Sequence, residues 1–341
     1  MPTTRFAGRV LVLGAGSVSQ CAVPLLVDHL VDRPDRITIM DFVDNRDRFE
    51  AVLAKGVGYV TGRVTPENLG EVLRAHVGAG DLLIDLAWNI HTPTILSWCH
   101  DAGVLYMNTS VEVWDPYGDA GSLTPQERTL YVRHMELRRL RDTWQDPGPS
   151  AVVDHGANPG LVSHFVKRAL TDIGERAVTD GIASPAVREA LAAERYPDLA
   201  EALGVKVIHI AERDTQIADR PKRVNEFVNT WSIDGFLEEG VAPAELGWGT
   251  HETTLPAGTY HHEDGPRNQI CIARPGAMTW VRSWVPHAEI NGMVIRHGEA
   301  FTMSDHLTTR NADGSVRYRP TVHYAYCPTD AAIASIRELS A

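Results

Sequence analysis

The stretch from Arg9 to Asp41 constrains this chain most. Residues 9–13, RVLVL, form a short apolar run of strand type, followed by Gly14-Ala15-Gly16-Ser17-Val18-Ser19 and then an apolar segment from Cys21 to Leu30. Strand, glycine turn and helix in that order aim the free N–H groups and the positive end of the helix over the turn, which suits a phosphate. Gly14 makes the turn and Gly16 lets the backbone approach a pyrophosphate. Ser19 stands where a third glycine is usual and is small enough for close helix–strand packing. A second strand, ITIM at 37–40, ends at Asp41. A carboxylate at that point bonds ribose hydroxyls and repels a 2′-phosphate, so the expected cofactor is NAD rather than NADP, with Arg46 and Arg48 pulling the other way. Gly14, Gly16, Ser17, Val18 and Asp41 are the candidate cofactor residues. The plainer reading is a glycine turn that holds nothing.

Strand-like runs at 58–60, 82–86 and 104–107 alternate with helical segments at 66–75 and 92–102, which predicts a parallel sheet of Rossmann type. Thr124-Pro125-Gln126-Glu127 reads as a capping box opening a basic helix to about Thr143. A last strand at 151–154 meets HGANPG, where Asn158 and Pro159 read as the cap and first residue of a helix at 161–170. From about Lys206 the pattern turns to successive strands: KVIHIAE (206–212), EFVNTWSI (226–233), QICIA (269–273), TWVRSWV (279–285), MVIRH (293–297) and VRYRPTVHYAYC (316–327). The expected fold class is therefore α/β. Residues 1–160 form a Rossmann-type nucleotide domain, 161–320 a second α+β domain with a largely antiparallel sheet, and 321–341 a C-terminal segment returning to the first domain.

Composition narrows the partners. Thirty-two Lys plus Arg against 44 Asp plus Glu leave a formal charge of −12, which disfavours a nucleic-acid backbone and suits a cation. Cys21, Cys99, Cys271 and Cys327 lie far apart with no zinc spacing, so no metal is expected. The chain shows no secretory leader and no apolar run long enough to cross a membrane, which points to the cytoplasm.

Two groups of residues bear on chemistry. At the ends of the fourth and fifth strands lie Trp88-Asn89 and Asn108 to Glu112. Glu112 is fit to bind an ammonium or take a proton, a solvated loop carboxylate being the equal alternative. Trp88 and Trp114 each read more simply as packing. Farther on, Glu212, Trp231, Glu239, Glu252 and Glu299 fall near predicted strand ends with His251 and His297. Carboxylates with an aromatic face make a box for an organic dication, although each residue alone reads as ordinary core or surface. His261-His262-Glu263-Asp264 reads as a polar turn.

HGANPGLVSHFVK (155–167), KVIHIAERDTQ (206–216), FVNTWSIDGF (227–236), PAELGWGTHE (243–252), RHGEA (296–300) and RPTVHYAY (319–326) resemble the bacterial homospermidine synthases of the saccharopine-dehydrogenase-like group. The resemblance spans nearly the whole chain. It implies an NAD-containing homodimer that condenses two putrescines, or spermidine and putrescine, through oxidation to an imine, amine exchange and hydride return. It implies that Trp231 holds a cationic iminium, that Asn158, Glu212, Glu239 and His297 surround the reacting amines, and that Glu112 meets an outer ammonium. Asn89 stands where the family has a carboxylate, and the family's chains continue beyond the position of Ala341.

Two other readings stay open. One is a saccharopine- or carboxynorspermidine-dehydrogenase type of reductive coupling of an amine to an oxo acid, for which Arg213, Arg274 and Arg282 are available to a carboxylate. The other is a non-catalytic NAD or polyamine binder.

Overall fold

A computed structural model describes residues 5–118 and 121–339. They divide into two compact units, one of the residues up to Gly121 with Glu136–Gly156, the other of Ser122–Met135 with Ala157 onward.

In the first unit, strands β1 (Val10–Leu13), β2 (Ile37–Asp41), β3 (Gly58–Thr61), β4 (Leu82–Asp85), β5 (Leu105–Asn108) and β6 (Ala151–Val152) make a six-stranded sheet in the order β3-β2-β1-β4-β5-β6. Every pairing is parallel. β1 is apolar throughout because both its faces are covered. Leu11 and Leu13 join one core cluster, and Val10 and Val12 the other. The strand order reverses at β1, so the carboxyl ends of β1 and β4 flank the switch point where ligands of such sheets bind. Three buried side chains build that edge. The Tyr106 hydroxyl donates to Asp85 Oδ2 at 3.0 Å and accepts from Asn108 Nδ2 at 3.0 Å, while Asn108 Oδ1 accepts the Asp154 N–H at 2.7 Å.

In the second unit, β7 (Val207–Arg213), β8 (Pro243–Gly247), β9 (Thr259–His261), β10 (Gln269–Pro275), β11 (Trp280–Val285), β12 (Ala288–Met293) and β15 (Thr321–Cys327) form a seven-stranded sheet. Between β12 and β15 lies the small pair β13 (Thr309–Arg310) and β14 (Val316–Tyr318). The main order is β11-β12-β15-β8-β10-β9, largely antiparallel, with β7 added in parallel to β15.

Several local expectations change here. EFVNTWSI is not a strand. The Val228 N–H goes to Ser335 Oγ at 3.0 Å rather than to a ladder, the Thr230 hydroxyl goes to Asp214, and Ser232 caps the helix Ile233–Val241. VRYRPTVHYAYC breaks at Arg319-Pro320, and only Met293 of MVIRH belongs to a strand. The segment from 321 belongs to the second unit. β15 pairs with β7 along its whole length, and Ile333 and Ile336 of the helix Asp330–Leu339 pack on the second unit's core. Thr124 and Glu127 do bond each other, but they enclose only a short turn at Gln126–Arg128. The helix Leu130–Thr143 is capped instead by buried Glu245, whose Oε1 and Oε2 accept the Leu130 and Tyr131 N–H groups at 2.6 and 3.2 Å. His262 lies in no polar turn; it is buried, stacked on Tyr131 at 4.2 Å.

Burial pushes the Asp85 carboxyl up to about 7, against the opposing bonds from the Ala87 N–H and the Tyr106 hydroxyl. A folded value above the unfolded one makes its contribution to stability full below about pH 4 and lost as pH rises through 7. Asp85→Asn should remove that loss, raising stability at pH 8 by on the order of 3–4 kcal/mol with little change at pH 4. Melting curves across this range check it; a wild-type pH slope that survives the substitution would assign the slope to another group.

Candidate active site

The glycine turn is held by side chains from both directions. Gly14 sits at φ 92°, and a Cβ there would lie 2.6 Å from the Leu86 carbonyl oxygen, so only glycine lets β1 and the chain after β4 approach this closely. The Ser19 hydroxyl donates to the Gly14 carbonyl, which explains how serine serves at the third position. Asp41 Oδ2 accepts the Ala15 N–H at 2.6 Å and Oδ1 the Val43 N–H at 2.9 Å. No side chain caps the helix Ser17–Leu25, a Cβ on Gly16 would meet nothing within 4 Å, and Val18 is exposed. The open cradle, uncapped N–H groups and acidic end of β2 fit a dinucleotide.

Beyond β4, Asn89 adopts φ 64°, a conformation Asn tolerates better than most residues, and its side-chain oxygen is buried without a hydrogen-bond partner. Glu112 is half-buried, its N–H on Thr92 Oγ1 at 2.9 Å and its carbonyl accepting the Thr92 N–H at 3.0 Å, which ties it to the start of the helix Thr92–Ala102. Trp114 packs on the first unit's core, whereas Trp88 is exposed.

The second unit gathers six of the expected residues into one cluster. Glu212 is next to last in β7, in register with Tyr326 of β15. Because alternate strand residues share a face, Tyr324 lies on the same side. Tyr324 donates its hydroxyl to Glu212 Oε2, and Asn158 Nδ2 donates both to that oxygen and to the Tyr324 hydroxyl, the latter at 2.7 Å. Asn158 is therefore no helix cap; Gly160 precedes the helix Leu161–Thr179, and the amide is spent on the cluster. The His297 ring stacks on Tyr324 with centroids 3.9 Å apart. Its Nε2 lies 4.0 Å from Glu239 Oε2 and its Nδ1 3.5 Å from Glu299 Oε2. Glu299, 2% exposed, opens the helix Glu299–His306, and neither of its carboxylate oxygens is hydrogen-bonded. Trp231 donates Nε1 to the Tyr326 hydroxyl at 3.1 Å and meets Phe236 edge-on at 5.6 Å, which fixes its ring.

Two carboxylates, Glu239 and Glu299, thus face the imidazole, and a third, Glu212, bonds the phenol it stacks on. Burial holds the Tyr324 proton well above the usual tyrosine range, helped by the charges of Glu212, Glu299 and Glu239. Burial likewise pushes Tyr326 up to about 12. Both phenols stay neutral, and the negative charge of the cluster calls for a cation. The two tyrosines were missed from sequence; the alternation in HYAYC is the signal that they share a face.

Glu252 stays outside the cluster. It accepts from Thr321 at the opposite end of β15 and lies 3.2 Å from His251. The arginines available to an oxo acid are also elsewhere: Arg213 bonds the Pro328 carbonyl and Asp330, Arg274 is exposed, and Arg282 lies over the exposed Trp284.

Residues 10–152 match the saccharopine dehydrogenase NADP binding domain, and residues 156–341 the saccharopine dehydrogenase C-terminal domain. The homospermidine synthase of Blastochloris viridis is 37% identical over 340 residues, covering 98% of this chain and 69% of the relative. That of Mesorhizobium japonicum is 36% identical, covering 97% of this chain and 68% of the relative. The crystal structure of the Legionella pneumophila homospermidine synthase in complex with NAD aligns with a TM-score of 0.83 at 37% identity, over 99% of this chain and 69% of that one. Identity of this depth across both units means that the chain belongs to the homospermidine synthase family, built on saccharopine dehydrogenase domains.

Proposed function

We propose that this protein is a homospermidine synthase-type aminobutyl transferase that joins two diamine units and releases ammonia. The observation that carries this reading is the cluster of Glu212, Glu239 and Glu299 around His297 and Tyr324, with Trp231 alongside: its charge suits an ammonium and its aromatic face an iminium.

NAD held on Gly14, Gly16, Ser17, Val18 and Asp41 supplies a hydride acceptor that gives the hydride back, so the reaction has no net redox change. The protein's task is to manage protons and charge. An amine gives up an α-hydride only as the neutral base, so a carboxylate must first take a proton from the ammonium. In this reading Glu212 is that carboxylate: its donors Asn158 and Tyr324 both land on Oε2, and Oε1 accepts from the substrate. Trp231 offers its ring to the cationic iminium. His297, flanked by Glu299 at Nδ1 and Glu239 at Nε2, moves a proton at Nε2 to the amine that departs as ammonia. Glu239 and Glu299 offset the positive charge that persists through these steps. In the same reading Glu112 meets the distal ammonium of a diamine.

The reductive-coupling alternative lacks an arginine in the cluster. No helix of the described residues is long and apolar enough to cross a membrane. The reading extends to a cytoplasmic homodimer, which sedimentation of the purified protein checks.

Incubation with NAD and putrescine should yield homospermidine and ammonia with no net rise in NADH absorbance; steady NADH accumulation would make the protein a net dehydrogenase instead. Trp231→Ala should lose roughly 1–2 kcal/mol of transition-state stabilisation, about 5–30-fold in kcat/KM, with Trp231→Phe intermediate. Equal rates in all three proteins would remove the ring from the chemistry. Glu112→Gln should weaken diamine binding more than NAD binding, as titration of each ligand would read; the reverse order would assign Glu112 to the cofactor.

A further inference from the structure

One buried ionic cluster in the second unit plays no part in the chemistry above. Glu238 Oε1 receives the guanidinium of Arg296 and, at 2.7 Å, Nη2 of Arg133. The side chains of Arg296, Glu238 and Arg133 are 6%, 7% and 14% exposed. Arg296 also donates Nη1 to the Arg128 carbonyl at 3.4 Å.

Taking such groups out of water is costly, and a well-packed apolar trio of the same volume is often as stable or more so. Stability alone therefore gives a poor account of this triad. Its place in the chain gives a better one. Glu238 and Glu239 are successive on the helix Ile233–Val241, where one residue turns about 100°, so Glu238 points into the ionic cluster and Glu239 toward His297. Arg296 and His297 are likewise successive, in the segment that leads from β12 to the helix Glu299–His306. The ion pair thus lies one residue behind each member of the Glu239–His297 pair, whose closest atoms are 4.0 Å apart. A guanidinium holds a carboxylate in a fixed geometry, which a lone backbone contact does not. Arg296 also acts on Glu239 directly through its charge, as it does on Glu238 and Glu245.

We infer that Arg296 and Glu238 are positioning residues for the amine chemistry: their ion pair, locked by Arg133, sets the separation of His297 from Glu239. This rests on the reading of His297 and Glu239 as groups that handle the amine.

The test is a cycle on the full chain with NAD and putrescine. Glu238→Gln should lower kcat about 10-fold or more, with the KM for putrescine and the affinity for NAD changed less than about threefold, and Arg296→Lys, which keeps the charge, should retain more of the rate than Arg296→Met. A residue that acts through Glu239 loses its effect once Glu239 is gone. Glu238→Gln added to Glu239→Gln should therefore cause little further loss, whereas a merely structural role predicts the same fold-loss in both backgrounds and would overturn the inference. Because a buried arginine deprived of its carboxylate can unfold a protein, the cycle is repeated with Glu238→Met, Arg296→Met and Arg133→Met together. That triple variant should hold the wild-type melting temperature to within a few degrees and still lose turnover; full turnover in it would also overturn the inference. Full turnover in Glu239→Gln and His297→Gln would sink the site reading and this inference with it. Loss in those two with full turnover in Glu238→Gln would sink the positioning role alone.

Discussion

The acidic cluster of the second unit depends on one phenol. Tyr324 donates to Glu212, accepts from Asn158 and carries His297 stacked on its ring, so three side chains from three separate segments are set against a single buried residue. The phenol can do this only while neutral. Burial and the surrounding carboxylates hold its proton, and it never adds a further negative charge to a site already rich in them. A phenylalanine would preserve the stack and leave Glu212 and Asn158 without their common partner.

That arrangement in turn needs β15 and β7 in register. The pairing runs from Thr321 opposite Val207 to Cys327 opposite Arg213, and a slip of one residue would turn Tyr324 and Tyr326 to the other face together. The strand is central, with β12 and β8 also as neighbours, and all of its residues are buried. The site is therefore carried on the most constrained element of the second unit, which suits chemistry that tolerates little displacement of its groups.

What could be read from the sequence followed the range of the signal. The glycine turn, the parallel strands before residue 160 and the runs at 206–212, 269–273 and 279–285 are local patterns that appear close to where they were expected, whereas MVIRH contributes only Met293 to a strand. EFVNTWSI misled because it is apolar and β-branched while its hydrogen-bond partners are Ser335 and Asp214, which no local pattern reveals. The capping box at Thr124 misled similarly, since the cap that matters, Glu245, lies more than 100 residues away. Glu212, Trp231, Glu239, His297 and Glu299 were grouped from predicted strand ends as a box for a dication, each alone reading as an ordinary residue; the resemblance added Asn158 and gave roles to all of them but Glu299. Tyr324 was absent from both readings because its role exists only in the register of two strands separated by much of the second unit.

The choice of cofactor follows from how the acidic residue after β2 is used. Both Asp41 oxygens already accept backbone N–H groups, from Ala15 and Val43, so this carboxylate first orders the turn on which a pyrophosphate rests. Each oxygen keeps a further lone pair, enough for ribose hydroxyls. A 2′-phosphate would bring negative charge to a carboxylate that cannot turn away without releasing the turn. Of the two cations expected to offset this, Arg46 is bonded to Asp44 at 2.9 Å and lies over the Tyr59 ring, and Arg48 is exposed. The name of the matched domain points to NADP, but the local electrostatics of this chain favour the ribose diol, and thus NAD.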